Sequence, residues 1–148
     1  MRPLPPCRVQ TTDRLVFITM LNSRPDIATE ADVRLLVDTF YAKVNHDALL
    51  DPVFNGFAHV DWPRHLPRMY DFWSGLLLGT ARYQGRPFPK HIPLPIDATH
   101  FQRWVALFQA TVDELFAGPT AAEAKLRGQA IAQVFEARLR ERGSLSIL

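Results

Sequence analysis

The chain has 148 residues, 47% of them hydrophobic, with 17 Lys and Arg against 15 Asp and Glu. One domain of that length buries about two thirds of the surface its unfolded form exposes, and the interspersed charges offer no basic stripe for a nucleic-acid partner. The sole cysteine, Cys7, leaves no intramolecular disulfide and no cysteine-based zinc site, which fits a reducing compartment with the cytoplasm as default.

Residues 1–28 carry Pro3, Pro5, Pro6 and Pro25 and show no sustained period, so residues 1–25 read as an N-terminal extension and 26–148 as the folded domain. The apolar run Leu15 to Leu21 within them is too short for a membrane span, and Asn22, Ser23 and Arg24 supply no small-residue cleavage site for export. Thr29 before Glu30, with Asp32 three residues on, is a capping-box start for a helix to about Asp47. Val33, Leu36, Val37, Phe40, Tyr41 and Val44 recur along it at helical spacing. Asp51-Pro52 then breaks the chain ahead of Phe54, Asn55 and Gly56.

A second helix is expected from near Asp61, with Pro63 tolerated in its first turn, to Leu78 before Gly79. His65, Met69, Phe72 and Leu76 share one face of it. Pro67 lies deeper, where it removes a backbone hydrogen bond at a cost of about 3 kcal/mol and predicts a kink just after His65. Between Gly79 and Asp97, Gly85, Pro87, Pro89, Pro93 and Pro95 leave room for at most one turn around His91. Tyr83, Phe88, Ile92 and Leu94 argue against disorder there.

A third helix runs from about Ala98 to Phe116, with Phe101, Trp104, Val105, Phe108, Val112 and Leu115 inward, and stops at Gly118-Pro119. Thr120 with Glu123 is a capping box for a fourth helix through Ile131, Val134, Phe135 and Leu139 to Gly143. No segment has strand period. The fold class is all-α.

The sequence has no Ser-His-Asp order, no phosphate-binding glycine loop and no HExxH pair, so its candidate chemistry lies in histidines and aromatics. Of five histidines, two point inward by phasing or backbone constraint. His91, bracketed by Pro89 and Pro93 among Phe88, Ile92, Leu94 and Ile96, suits a single axial ligand. Taken alone it reads more readily as a hydrogen-bonded structural residue. His65, one turn before Met69, could reach the other side of a planar ligand or face water at a helix start. Tyr41 and Trp104 each read alone as core residues whose polar tips need partners. His46 suits a helix C-terminus, and His59 and His100 read as solvated.

The grouping of these residues says more than any one of them. In order stand Phe40-Tyr41, Asp51-Pro52-Val53-Phe54-Asn55, Trp62 with His65, and Asp71-Phe72-Trp73-Ser74-Gly75 running into Leu76-Leu77-Leu78-Gly79. Then come Tyr83-Gln84-Gly85-Arg86-Pro87, Lys90-His91, and Phe101 through Trp104. Together, over about residues 26 to 142, they resemble the truncated haemoglobins of the group III type.

The resemblance implies a two-over-two helical sandwich with a haem pocket, in which the mostly irregular segment around His91 replaces the usual proximal helix. It implies haem b, iron protoporphyrin IX, as cofactor and His91 as the proximal iron ligand. Tyr41 would be the distal phenol, His65 the distal-helix histidine and Trp104 the pocket indole, which together form the candidate catalytic set. Phe54 would pack on the porphyrin edge, Met69, Phe72 and Trp73 would line the cavity, and Arg68 and Lys90 would meet the propionates.

The function so implied is reversible binding of O2, CO and NO, with NO- or peroxide-consuming chemistry as its extension. Several distal donors imply slow O2 release, which favours chemistry or sensing over bulk transport. Turnover calls for a reductase. Two other readings stand beside it: a gas sensor signalling through the N-terminal extension, and a cofactor-free helical interaction module.

Overall fold

The computed structural model describes residues 23–145. The extension over residues 1–22, with Cys7 and the run Leu15 to Leu21, lies outside the described residues. Four α-helices, α1 (Glu30–Val44), α2 (Trp62–Leu78), α3 (Ala98–Leu115) and α4 (Pro119–Leu145), carry the fold, and no strand occurs among the described residues. α1 packs on α2 and α3, while α4 packs on α3 and touches α2. The result is two helix pairs laid one over the other. No helix among the described residues is long and apolar enough to cross a membrane.

α1 starts as its sequence demands. Thr29 Oγ1 accepts from the Asp32 N–H at 3.3 Å, and Asp32 Oδ2 accepts from the Thr29 N–H at 2.9 Å. Val33, Leu36, Val37, Phe40, Tyr41 and Val44 are all buried, so the apolar stripe is the core face. The helix ends at Val44 rather than near Asp47. Asp47 is instead a buried turn residue, accepting from the N–H groups of Leu49 and Leu50 at 3.1 Å each and from Arg103 of α3 at 2.6 Å.

The break expected at Asp51-Pro52 is a π-helical turn, Pro52–Phe57, closed by the Ala58 N–H on the Val53 carbonyl at 2.8 Å. Proline opens it because the first helical position needs no N–H. α2 then continues unbroken through Pro67, which is exposed, so its ring faces solvent and the lost bond falls at the Pro63 carbonyl near the helix start. Gly79 ends α2 in the left-handed region, with φ of 75°. Beyond it Arg82 ties the loop back to α1 and α2 through Glu30 and Asp71.

The N-terminus of α3 differs from expectation at His100. Asp97 accepts from the Thr99 N–H at 2.9 Å, and His100 Nδ1 pairs back with the Asp97 N–H at 3.2 Å, so this histidine closes a capping box. α4 differs more. Its first amides, of Thr120 and Ala121, are capped by the carboxylate of Asp26 at 3.0 and 2.8 Å, while Glu123 pairs with Arg127. Residues 25–28 thus belong to the fold: the Pro25 carbonyl accepts from the Ala117 N–H at 3.0 Å, and Ile27 is buried.

Val134 is exposed. The buried face of α4 is made by Ala121, Ala124, Gly128 and Ala132, whose small size lets it lie close on α3. A Cβ added at Gly128 would stand 2.8 Å from the Phe108 ring. Between the layers, Phe108 stacks on Trp73 of α2 at 4.7 Å and on Trp104 at 5.3 Å, and meets Phe40 of α1 edge-on at 5.3 Å.

Candidate functional site

The single helical turn left by the prolines is a 3-10 turn, Phe88–His91. It aims the carbonyl of Pro87 at the imidazole one turn later, and His91 Nδ1 donates to it at 2.7 Å. That bond fixes the tautomer, because a carbonyl can only accept, and leaves the Nε2 lone pair for a metal. Burial holds the imidazole below the ordinary histidine range, against the opposing pull of the Pro87 carbonyl, so it is neutral at pH 7. On α4, Phe135 lies against the His91 ring at 4.9 Å and against Phe88 at 5.3 Å.

A second cluster surrounds His65, on the first turns of α2. Its ring meets Tyr41 of α1 edge-on at 5.4 Å and Trp62 at 5.6 Å. Phe54, from the π-turn, stacks on Trp62 at 6.1 Å and meets Tyr41 at the same distance. The Trp62 indole donates to Asn55 Oδ1 at 2.7 Å, and the Asn55 amide donates to Asn45 and Asp51, so the Trp62 donor is already engaged within the protein. His65 Nε2 is buried without any partner. Among the described residues the Tyr41 hydroxyl and the Trp104 indole N–H likewise make no hydrogen bond. Phe40 bridges the two, 4.9 Å from Tyr41 and 5.3 Å from Trp104.

Electrostatics join the clusters. Burial lowers the proton affinity of His65, and the Lys90 and Arg68 cations, with His91 when it is protonated, lower it further. Four residues singled out from the sequence thus lie near enough to one another to interact electrostatically. Burial alone pushes the Tyr41 phenol far above its ordinary value, so it stays a donor. Met69 and Phe72 are half-buried on α2, with Phe72 against Tyr83 at 5.2 Å. Trp73 is in the core, stacked on Phe108 and edge-on to Phe72.

These residues suit a flat metal macrocycle with an anionic edge. One free imidazole nitrogen suffices where a macrocycle supplies the other donors, and no group of three His, Cys, Asp or Glu among the described residues could hold a metal alone. The partnerless Nε2 of His65 calls for a ligand on its side. Phe72, Leu76, Phe101, Val105 and Ile92 are only half-covered by protein, which leaves apolar surface for the macrocycle. Arg68 and Lys90, both exposed, provide cations at the rim.

A two-over-two α-helical frame with one histidine presented from a short proximal turn defines a shortened globin. The bacterial-like globin family profile matches residues 25–135, and the chain belongs to that family. It is 31% identical over 118 residues to the group 3 truncated hemoglobin ctb of Campylobacter jejuni, covering 77% of this chain and 93% of that one. The crystal structure of the group III truncated hemoglobin from Campylobacter jejuni matches with a TM-score of 0.71 at 30% identity, over 78% of this chain and 94% of that chain. The group III truncated globin expected from the sequence is thus what the comparisons show. Membership implies haem and a small gaseous ligand.

Sequence reasoning singled out the imidazoles and the cations. It named Phe135 only as a position along the fourth helix, and it missed the Asn55 bridge. An Asn seven residues before a Trp is no recognisable motif.

Proposed function

We propose that the chain binds haem b through His91 Nε2 and takes O2, CO or NO on the His65 side. The observation that carries this is the pairing of His91, its Nδ1 engaged by Pro87, with the orphaned Nε2 of His65, within electrostatic reach of it. Haem iron so ligated supplies a binding site for diatomic gases and a source of electrons for reducing them. Tyr41 and Trp104 offer donors already in place, since neither is satisfied within the protein, and such preorganised donors stabilise developing negative charge. His65, neutral at pH 7, can accept a proton, which is what peroxide consumption requires of a distal group. Phe54, Met69 and Phe72 exclude water, and Arg68 and Lys90 pair with the propionates.

Retention of the gas by several donors favours NO- or peroxide-consuming chemistry in the cytoplasm, with a reductase as electron donor. The test is the absorption spectrum of the reduced protein after hemin is supplied. We expect a ferrous Soret band that sharpens and shifts with CO, and its loss in His91→Ala. An unchanged ferrous spectrum in His91→Ala would sink the assignment, and the absence of any Soret band in the unaltered chain would favour the cofactor-free helical module.

A further inference from the structure

The segment that carries His91 has little backbone hold on the rest of the fold. Its hydrogen bonds, Ile92 N–H to Pro89 at 3.4 Å, Leu94 N–H to His91 at 3.1 Å and Ile96 N–H to Leu94 at 2.9 Å, all run within it. The Pro87 carbonyl that orients the imidazole belongs to the same segment, so it sets the ring relative to the turn but not the turn relative to the helices. The turn's contact with a rigid element is made by side chains of α4. The Phe135 ring lies 4.9 Å from His91 at 55° and 5.3 Å from Phe88 at 62°, and the Arg138 guanidinium covers Phe88 at 5.2 Å. Phe135 and Arg138 are three residues apart on one face of α4, which grips Phe88 and His91, the two ends of the 3-10 turn.

We propose that Phe135 is a positioning residue for His91: packed against both His91 and Phe88, whose ring Arg138 covers, it fixes the rotation and depth of the imidazole from helix α4. This rests on the reading of His91 as the iron ligand. An imidazole held only by its own turn samples a range of tilts. One held additionally by an aromatic ring on a 27-residue helix samples far fewer. The strength of the proximal bond is then set in part by α4, a helix remote in sequence from the ligand.

The test uses the reduced, haem-loaded full chain and reads two quantities: the iron–histidine stretching band in resonance Raman, and the rate of tryptic cleavage after Lys90. Phe135→Leu should shift and broaden the band and speed cleavage by about tenfold, equivalent to about 1.4 kcal/mol. Phe135→Tyr, which keeps the ring, should restore both. An unmoved band in Phe135→Leu overturns the proposal, even if cleavage quickens, because packing alone would loosen the turn without changing the bond. Should Phe135→Leu fail to fold, the exposed Arg138→Met and the half-buried Phe88→Leu carry the same test, and an unmoved band in both overturns it. His91→Gly without added imidazole separates the two readings. If the iron–histidine band persists unchanged in it, the ligand assignment itself fails, whatever Phe135→Leu does.

Discussion

The imidazole of His65 stands edge-on to the ring of Tyr41, 5.4 Å between centroids at 82°, and neither His65 Nε2 nor the Tyr41 hydroxyl has a protein partner among the described residues. Leaving a buried polar group unpaired costs about 1–3 kcal/mol, so the orphaned His65 Nε2 beside a phenol with no protein partner marks a place kept for a ligand rather than for stability. In the reduced holoprotein, Tyr41→Phe should therefore speed O2 release by about tenfold, the loss of one hydrogen bond of about 1.4 kcal/mol. It should leave the urea midpoint of the apoprotein unchanged or raised. Stopped-flow displacement by CO measures the first, and an unaltered off-rate would remove Tyr41 from the distal set.

Two tryptophans near this site have opposite duties. The Trp62 indole donates to Asn55 at 2.7 Å, within a network that ties the π-turn to the end of α1, whereas the Trp104 N–H has no such partner among the described residues. Trp62→Phe leaves Asn55 Oδ1 unpaired and should lower stability by about 1–2 kcal/mol with little effect on ligand release. Trp104→Phe should do the reverse, quickening release at nearly constant stability. Equal effects of the two on release would contradict this division.

What was legible in the sequence was whatever depends on neighbours in the chain. Thr29 and Asp32 announced the start of α1, Gly79 the end of α2, and the prolines around His91 the single turn that presents it. What was not legible depends on residues that meet only after folding. Thr120 and Glu123 have the spacing of a capping box, yet Asp26, 94 residues before Thr120, reaches those amides first. Phe135 shows helical phase but not which ring it touches.

The Asp26 cap makes its own prediction. Its carboxylate accepts from Ile27 at 2.9 Å as well as from Thr120 and Ala121, and these bonds hold its proton affinity below the ordinary carboxylate value against the opposing effect of burial. Asp26→Ala should cost about 1–2 kcal/mol, the usual price of an N-cap. Glu123→Ala should cost about 0.3 kcal/mol, since Glu123 makes only an exposed pair with Arg127 one turn on. Urea midpoints of the two variants decide it, and a larger loss for Glu123→Ala would restore the capping box read from the sequence.

Asp47 links the end of α1 to α3, and its charge gives stability a pH dependence of known sign. Burial pushes its proton affinity up, but the Arg103 guanidinium and the Leu50 and Leu49 amides outweigh that and hold it below the ordinary carboxylate value. A carboxyl whose native pKa lies below its unfolded one stabilises the fold fully above the unfolded value, and that stabilisation is lost as pH falls through the native value. Arg103 is half exposed, which screens the pair and keeps its worth modest. Asp47→Asn, which preserves an acceptor for both amides, should thus cost about 1 kcal/mol at pH 7. The gap between Asp47→Asn and the unaltered chain should narrow as pH drops below about 4, the unfolded value, and close once pH has fallen through the lower native one. Denaturant midpoints taken across that range test the sign. A gap that stayed constant down to pH 3 would show that Asp47 acts through its shape and not its charge.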